Sequence, residues 1–559
     1  MYTVADQIAD LLVEAGCVAC FQVSGGMIAF LADAIDKKRE ITLYNLKHEQ
    51  AAGFAAEGLS RFAGKPGVVL ATSGPGATNL LTPIASCFFD STPTIFITGQ
   101  VHSDEIKKSP LQRQNGFQEL GIAQVAESLV KFTRQISSPA EVLPVFREAL
   151  NAATGGRPGP VLIDIPIDIQ QMEAVIFHPV LVEKKIDLPN FEDEKKLLER
   201  LVGESVSPLI LAGAGIRLSG ATKLFEQFVT KSSIPVVWSL MAKDCLETDN
   251  VLNFGMIGSY GSRCANRSLA ESDLLIVLGS RLDVRQTGPS LDDFREGRRI
   301  FRVDVDEAEL DGRLQADFNV VADLKIFLEV LLGSDVSHDP SRQTRRFSHC
   351  AQNYPMQNEQ EVSSALSPHL VMETISSIER SSSAYLVDVG QHQMWAAQSL
   401  RLEVGQRFLT SGGLGAMGFS IPAGIGVAGG SRERVAVIIG DGGAQMVLAE
   451  LETVRFLNLP VRIYVINNNQ QGMVAQFQEE NLSARYVGTR DGYSAPNFSA
   501  IAQAFGIPSI RVTSTNELGA LEEALARGFP TGPVLIEIVI DKRFKALPKL
   551  GKNNSLSAM

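Results

Sequence analysis

Short apolar runs recur along the whole chain, each bounded by Gly, Pro or Ser and separated from the next by helical periodicity. They lie at residues 68–71, 95–97, 161–163, 209–211, 274–277, 435–439 and 463–466. A strand that is apolar on both faces belongs in a parallel sheet covered by helices on each side. The pattern therefore predicts an α/β fold made of doubly wound parallel sheets.

A chain of 559 residues is too long for one core and predicts about three domains. Two segments without sustained periodicity, 177–189 and 333–367, read as linkers. We predict domains at 1–175, 187–335 and 365–545. Ligands of such sheets bind at the carboxyl ends of strands, so we expect the chemistry in the loops that follow the apolar runs.

Charge and hydropathy exclude two classes of partner. The net charge is −12 and no Lys/Arg cluster offers a phosphate-binding surface, which argues against nucleic acid. No apolar run approaches ~18 residues and no signal segment begins the chain, so we predict no membrane span and a cytoplasmic location.

The six scattered cysteines are expected to be buried free thiols.

One glycine turn has the features of an anion site. Gly440-Asp441-Gly442-Gly443 follows the apolar run 435–439 and precedes a helix, where free N–H groups and the helix dipole favour an anion. The next strand ends in Asn467-Asn468-Asn469. Gly-Asp-Gly alone is usually an ordinary turn, but Asp441 and Asn468 together offer the oxygen ligands that suit Mg²⁺ bound with phosphate. The two motifs predict a magnesium-diphosphate site.

These motifs match the signature of thiamin-diphosphate (ThDP) enzymes, and 467–474 resembles the metal-binding loop of acetohydroxyacid synthases (acetolactate synthases). The resemblance implies Asp441, Asn468 and the Gln470 carbonyl as Mg²⁺ ligands. It implies that Gln391 and His392 touch the diphosphate. The other ThDP-binding residues it implies are Gly390, Gly415, Met417, Gly440, Gly442, Gly443, Gly472 and Met473. Within 411–418, Met417 would lie beneath the bent cofactor, and the Gly415 carbonyl would meet its 4′-amino group.

The first domain supplies the predicted proton relay. Residues 47–52 and 72–79 resemble the pyrimidine-binding domain of the same family. The aminopyrimidine needs a carboxyl group to shift it to the imino form, and the resemblance assigns that role to Glu49. Small apolar neighbours lead us to expect Glu49 on a packed, poorly hydrated face. By the same resemblance, Gly26, Phe117 and Gln118 are the further catalytic residues, and Gln118 would hydrogen-bond reaction intermediates.

The middle domain resembles the FAD-binding domain of acetohydroxyacid synthases in segments 255–261, 279–281 and 303–306. The FAD-binding residues implied are Gly213, Gly215, Arg281 and Asp304. The flavin would be structural, since carboligation transfers no net electrons. Pyruvate and benzoylformate decarboxylases share this domain fold without FAD, so both possibilities stay open.

The acceptor pocket departs from the family pattern. Ile167 stands where the family has Lys, Phe477 where it has Trp, and the loop 100–117 is longer than usual, while Arg285 is retained. We predict that Arg285 and Phe477 line the acceptor pocket, and that the acceptor is bulkier or less acidic than a simple 2-oxoacid.

Our main hypothesis is a pyruvate-decarboxylating carboligase of the YerE type, which transfers the two-carbon unit to a CDP-linked 4-keto-deoxysugar. The alternatives are acetolactate or acetohydroxybutyrate synthesis from 2-oxoacids, a plain 2-oxoacid decarboxylase, and a non-catalytic FAD-binding homologue. Family members share active sites between subunits, so the resemblance also implies a homodimer or homotetramer.

Overall fold

The computed structural model describes residues 1–109, 111–175, 190–356, 360, 362, 365–529 and 531–551. Within these ranges the strands form three parallel sheets of six strands each. Every apolar run identified above lies in one of these strands, because a strand buried on both faces has no polar side to alternate with. The predicted fold class is confirmed.

The first sheet has the order β2-β1-β3-β4-β6-β5. Its strands are β1 (Ala19–Gln22), β2 (Thr42–Asn45), β3 (Gly67–Ala71), β4 (Thr94–Gln100), β5 (Phe132–Gln135) and β6 (Val161–Pro166). Its helices are α1 (Val4–Glu14), α2 (Ala29–Asp36), α3 (Glu49–Ala63), α4 (Pro75–Thr78), α5 (Leu81–Phe89), α6 (Ile122–Ala126), α7 (Val142–Thr154) and α8 (Ile167–Gln171).

The second sheet has the order β12-β11-β10-β7-β8-β9. Its strands are β7 (Pro208–Ala212), β8 (Val236–Trp238), β9 (Asn253–Met256), β10 (Leu274–Leu278), β11 (Arg299–Asp304) and β12 (Phe318–Val321). The helices of this region are α9 (Glu192–Glu204), α10 (Gly215–Leu218), α11 (Thr222–Ser232), α12 (Arg263–Ala270), α13 (Val284–Thr287), α14 (Leu291–Arg295), α15 (Glu307–Leu310), α16 (Leu324–Leu332) and α17 (Ser341–Asn353).

The third sheet has the order β14-β13-β15-β16-β18-β17. Its strands are β13 (Ala384–Val387), β14 (Arg407–Thr410), β15 (Val435–Gly440), β16 (Val461–Asn467), β17 (Ser509–Val512) and β18 (Val534–Val539). Its helices are α18 (Pro368–Ile378), α19 (Gln391–Ser399), α20 (Ser420–Ser431), α21 (Asp441–Met446), α22 (Glu450–Phe456), α23 (Gly472–Asn481), α24 (Phe498–Ala504), α25 (Thr515–Gly519) and α26 (Leu521–Gly528).

Each sheet falls inside one of the three predicted domains, whose boundaries stay predictions. The linker predicted at 177–189 lies outside the described residues. The linker at 333–367 is wrong in part, because it contains α17. This helix buries only Cys350, so its polar composition resembles that of a linker. Among the described residues, no helix is long and apolar enough to cross a membrane.

Covalent, aromatic and polar side-chain contacts attach α17 to the middle domain. Cys350 forms a disulfide with Cys264 of α12, and the rings of Phe347 and Phe254 stack at 4.3 Å. The expectation of free thiols is therefore wrong for this pair. It holds for Cys17 and Cys20, which are buried and unbridged.

Helices α3 and α20 join the first and third domains through small residues. A Cβ on Gly426 would lie 1.9 Å from the Ala55 carbonyl oxygen, and one on Gly58 would lie 2.7 Å from that of Ala423. The helices run in opposite directions, because the Tyr44 hydroxyl, just before α3, donates to the carbonyl of Gly429 near the end of α20. This arrangement sets the relative position of the two predicted halves of the site.

Candidate active site

The predicted metal ligands lie together at the carboxyl edge of the third sheet. β15 and β16 are parallel neighbours, so Asp441 and Asn468 leave the sheet side by side. One Asp441 oxygen, Oδ2, accepts a hydrogen bond from the Gln470 N–H at 3.2 Å. Burial raises the pKa of the Asp441 carboxyl to about 6. A cation bound here would offset that desolvation and favour the ionised carboxylate.

The surroundings of His392 fit a diphosphate. Its ring is buried, and within the described structure its Nε2 has no hydrogen-bond partner, which is unusual for a buried polar atom. Burial lowers the pKa of His392 to about 3. A Cβ on Gly440 would lie 2.8 Å from this ring, so the turn comes this close only as glycine. A bound diphosphate would give Nε2 a partner.

Gln391 links this turn to the metal loop. Asn468 Nδ2 donates to Gln391 Oε1 at 3.1 Å, and a Cβ on Gly472 would lie 2.0 Å from the same oxygen. These contacts therefore form one buried cluster. It contains the amides around Asn468, the helix start at Gly472 and the turn after β15. We name Gln391, His392, Asp441, Asn468 and Gln470 the diphosphate cluster.

The loop 411–418 borders the diphosphate cluster. The Gly418 N–H donates to Asp388 Oδ1 at 3.0 Å, and a Cβ on Gly418 would lie 3.1 Å from Val447, just after α21. Gly415 has a φ of +71°, a conformation that favours glycine. The loop with Gly415 and Met417 therefore lies at the same sheet edge as Asp441, as the sequence predicts.

The first domain gathers the second group of predicted residues. Glu49 begins α3, and its Oε2 accepts a hydrogen bond from Asn79 Nδ2 at 2.9 Å. A Cβ on Gly76 would lie 3.2 Å from Glu49 Oε1, and one on Gly74 would lie 3.0 Å from Gln118 Cβ. The motifs at 47–52 and 72–79 and the segment around Gln118 thus meet at one edge, which we name the pyrimidine edge.

The pyrimidine edge is more open than the sequence predicts. Glu49 is only half-buried, whereas we expected a packed position. Phe117 is 81% exposed and Gly26 has open space around its Cα. Gln118 adopts a φ of +67°, which is strained for a residue other than glycine. The chain alone does not cover these groups.

The pyrimidine edge and the diphosphate cluster are separated within one chain. Glu49 and Arg61 lie at opposite ends of α3, about 18 Å apart at a helical rise of about 1.5 Å per residue. Arg61 donates to the Thr410 carbonyl at 2.7 Å, at the start of the loop 411–418. Among described residues, Glu49 hydrogen-bonds only within its own domain. Within one chain, no hydrogen bond among the described residues joins the pyrimidine edge to the diphosphate cluster. The motif 47–52 instead meets the third domain at α22, where the Lys47 N–H donates to Glu450 Oε1 at 2.9 Å.

A cavity of about 350 Å³ lies where all three domains meet. Its lining includes Gly215, Arg281, Arg285 and Asp304. Burial raises the pKa of Asp304 above its usual range. Gly213 does not line the cavity, because its Cα packs on the Gly279 carbonyl, 2.1 Å from where a Cβ would lie. Gly213 stays a predicted flavin contact, close in sequence to the cavity-lining Gly215.

The two predicted acceptor residues lie on different domains. Arg285 is on α13 and lines the cavity, and Phe477 is on α23 and 54% exposed. The C-terminal segment connects the two regions, since Lys549 pairs with Glu480 of α23. The Leu550 N–H donates to the Ser259 carbonyl at 2.8 Å.

Sequence reasoning missed three buried carboxylates that hold the site loops. They are Asp90, Glu119 and Asp388. Glu119 accepts hydrogen bonds from the N–H groups of Lys107 and Asn115, which fixes the loop before Gln118. Asp388 follows β13 directly, and a polar residue at that position could have been recognised. For Asp90 and Glu119 the sequence contains no comparable signal.

Three family models match the chain. They describe the N-terminal TPP binding domain of thiamine pyrophosphate enzymes at residues 2–126, their central domain at 195–331 and their C-terminal TPP binding domain at 388–538. Thiamine pyrophosphate is ThDP. The fold and the two residue groups thus define an enzyme of the ThDP-dependent class, which uses ThDP with Mg²⁺.

Curated relatives narrow this class. The acetolactate synthase large subunit of Corynebacterium glutamicum is 34% identical, with 99% of this chain and 89% of the relative covered. That of Cyanidium caldarium is 35% identical, with 99% and 96% covered. Acetolactate synthase 2, chloroplastic, of Nicotiana tabacum is 35% identical, with 97% and 83% covered. The chain belongs to the acetolactate-synthase-like family of ThDP-dependent enzymes and forms carbon–carbon bonds.

Proposed function

We propose that the protein is an acetohydroxyacid synthase, which decarboxylates pyruvate and joins the remaining two-carbon unit to a second 2-oxoacid. The observation that carries this choice of acceptor is Arg285, whose guanidinium can hold a carboxylate through two parallel hydrogen bonds. The names of the relatives support the same acceptor class. They lend no support to the keto-sugar acceptor that we preferred from the sequence.

Each residue group has a distinct task in this proposal. Asp441, Asn468 and the Gln470 carbonyl hold Mg²⁺, while Gln391 and His392 hold the diphosphate. The other diphosphate contacts are backbone N–H groups of Gly440, Gly442, Gly443, Gly472 and Met473, with Gly390 beside them. ThDP, when bound, would supply a nucleophilic carbon and an electron sink for decarboxylation.

The remaining residues would hold protons, support the conformation of the cofactor and enclose the substrates. Glu49 holds the proton at N1′ of the pyrimidine and so makes the 4′-nitrogen basic. The Gly415 carbonyl would accept a hydrogen bond from the 4′-amino group, and the deformable side chain of Met417 would support the bent cofactor. Gln118 donates to oxygen atoms of the reacting substrates, with Gly26 and Phe117 enclosing them. Together they exclude water that would protonate the two-carbon unit prematurely.

We further propose a homodimer in which the pyrimidine edge of one copy covers the diphosphate cluster of the other. The separation of these groups along α3 supports it. Exposed apolar side chains near the diphosphate cluster also favour a covering partner; they are Leu414, Met446, Val474 and Phe477. A homotetramer would repeat this dimer.

Mixing two inactive variants tests the shared site. Glu49→Gln and Asp441→Ala damage different edges, so a mixed dimer contains one site with both changes and one with neither. After subunit exchange we expect about a quarter of wild-type activity from an equal mixture. Activity that stays at the level of the separate variants would refute the shared site.

The three-domain cavity is our proposed site for a structural FAD, with Arg281 and Asp304 as polar contacts. The test is the absorbance spectrum of purified protein, before and after denaturation. We expect a flavin spectrum near one equivalent per chain in the wild type and a reduced amount in Arg281→Ala. Protein that stays colourless with FAD supplied would contradict the proposal.

A keto-sugar acceptor is the second candidate. It is favoured by Ile167 at the start of α8, which supplies no charge, and by the half-exposed Phe477, which leaves room. Incubation with pyruvate and either 2-oxobutyrate or a CDP-linked 4-keto-deoxysugar separates the candidates by product mass. We expect the acetohydroxy acid; a branched sugar as sole product would overturn our proposal.

The cytoplasmic location stays a prediction. The names of the tobacco relatives place those proteins in the chloroplast.

A further inference from the structure

Asp90 holds the entry to the loop that carries Gly415 and Met417. It follows α5 in the first domain and is 6% exposed. Its Oδ2 accepts a hydrogen bond from the Gly412 N–H at 3.0 Å, and its Oδ1 accepts one from the Gly413 N–H at 2.7 Å. Hydrogen bonds to a carboxylate are stronger than those between neutral groups. One side chain therefore fixes two consecutive peptide groups of another domain.

Arg61 fixes the residues on either side of the loop. Its Nη1 donates to the Thr410 carbonyl at 2.7 Å and lies 3.6 Å from Asp90 Oδ2. Its guanidinium also lies 5.9 Å from the centre of the Phe419 ring. Burial raises the pKa of the neighbouring Glu57, whose Oε1 lies 3.5 Å from the same Nη1, so Arg61 lies between a carboxyl group of α3 and Asp90. The pair thus ties α3 and α5 to the loop.

The loop also packs closely against two neighbours, although Asp90 and Gly412 border the three-domain cavity. A Cβ on Gly412 would lie 2.2 Å from Met241 Sδ of the middle domain. One on Gly413 would lie 2.7 Å from Phe89 Cβ and 2.9 Å from Asp90 Oδ1. The loop therefore passes between the first and middle domains, and its two glycines are required by close approach.

These contacts bracket the short segment 414–417. The loop is held at Gly413 by Asp90 and at Gly418 by Asp388, and between them the Ala416 N–H donates to Ser411 Oγ at 3.1 Å. This segment contains Gly415 and Met417, which the proposed function assigns to the bent cofactor. A displacement of about 1 Å in such a segment can cost on the order of 100-fold in rate.

We propose that Asp90, supported by Arg61, is a positioning residue that sets the loop 411–418 for ThDP bending. The inference rests on the proposed roles of Gly415 and Met417. It assigns to the first domain a second task, performed at the opposite end of α3 from Glu49. In this way each chain both shapes its own loop and supplies a carboxyl group to its partner.

The test uses Asp90→Asn, which keeps the size of the side chain but replaces one accepting oxygen with an N–H donor. We expect the Kd for ThDP with Mg²⁺ to change by less than about 3-fold and kcat for CO₂ release to fall by about 10-fold to 100-fold. We also expect a weaker near-ultraviolet circular dichroism band from the imino form of bound ThDP. Without cofactor, the amides of 411–418 should exchange hydrogen for deuterium faster than in the wild type.

Two further variants keep the test decisive. Gly413→Ala forces the loop away from Asp90 without removing a charge, and we expect the same fall in kcat. Glu379→Gln removes another buried carboxylate, bonded to Arg462 and Tyr464 away from the loop, and should leave kcat unchanged. Wild-type kcat and wild-type exchange in both Asp90→Asn and Gly413→Ala would overturn the inference. Failure of the wild type to bind ThDP would instead refute the proposed function, while the exchange experiment would still report on the loop.

Discussion

The diphosphate cluster and the pyrimidine edge are built in different ways. The first is buried and its side chains bond to each other, as Asn468 does to Gln391. The second is open, with Glu49 half-buried and Phe117 almost free. A group that holds a doubly charged metal has to be organised before the ligand arrives. In the proposed dimer, the open pyrimidine edge would be completed by the partner. The comparison therefore predicts that one chain builds the diphosphate cluster by itself, whereas the pyrimidine edge needs a second copy.

The largest effect should come from disrupting the diphosphate cluster. Asp441→Ala removes the only charged ligand predicted for Mg²⁺, so ThDP uptake should be lost and CO₂ release should fall to the uncatalysed background. Titration calorimetry with ThDP and Mg²⁺ measures this directly. Treatment of the wild type with a chelator should reproduce the loss, and added Mg²⁺ should restore it only in the wild type. ThDP binding that survives in Asp441→Ala would remove this residue from the metal site.

Disrupting the pyrimidine edge should lower the rate of CO₂ release more than the affinity for ThDP. Glu49→Gln keeps the shape of the side chain but cannot take the proton, so we expect ThDP to bind while CO₂ release falls by about 100-fold to 10,000-fold. Single-turnover release of CO₂ from pyruvate is the measurement.

The matched control is Glu192→Gln, which changes the first residue of α9 in the same way. It should behave as wild type. If Glu49→Gln released CO₂ at the wild-type rate, the pyrimidine edge would have no part in the reaction.

The relative position of the pyrimidine edge and the diphosphate cluster depends on the packing of α3 against α20. Gly426→Ala would put a methyl group 1.9 Å from the Ala55 carbonyl oxygen, and the helices would have to separate. We expect the free energy of unfolding to fall by about 1 to 3 kcal/mol. Denaturant unfolding measures this.

Gly203→Ala in α9 is the control, because a Cβ there meets no atom within 4 Å. It should raise stability by about 0.5 to 1 kcal/mol, since alanine favours helix. Equal effects of the two changes would show that the α3–α20 contact does not limit stability.

The diphosphate cluster could be predicted from sequence better than the pyrimidine edge, for a physical reason. The diphosphate cluster depends on local features, namely a strand apolar on both faces and a glycine turn directly after it. The position of Glu49 relative to Met417 depends on the direction in which α3 crosses α20, which no local pattern encodes. The contacts of Asp90 with Gly412 and Gly413 are of this second kind, since they join residues more than 300 positions apart.

Helix α17 shows a different limit of prediction from sequence. Its thirteen residues bury only Cys350 fully, and the inward face is partly polar, since it includes Gln343, so the composition suggested a linker. The helix is held by a disulfide, a ring stack, a hydrogen bond and an ion pair, all to partners distant in sequence. Apolar periodicity detects helices that bury several apolar side chains, and this one fully buries a single side chain.

The smallest effect should test whether the two exposed aromatic side chains close one pocket. Phe477 belongs to the third domain and Phe117 to the first, and both are more than half exposed in the chain. If they meet in the dimer, Phe477→Trp narrows the acceptor pocket and should lower kcat/KM for 2-oxobutyrate relative to pyruvate by about 10-fold. CO₂ release without an added acceptor should stay within about 2-fold, because the donor site is untouched. Phe456→Trp, an equally conservative change at a 73% exposed position, should alter neither ratio. An unchanged acceptor preference in Phe477→Trp would place this side chain outside the pocket and leave Arg285 as the sole predicted acceptor contact.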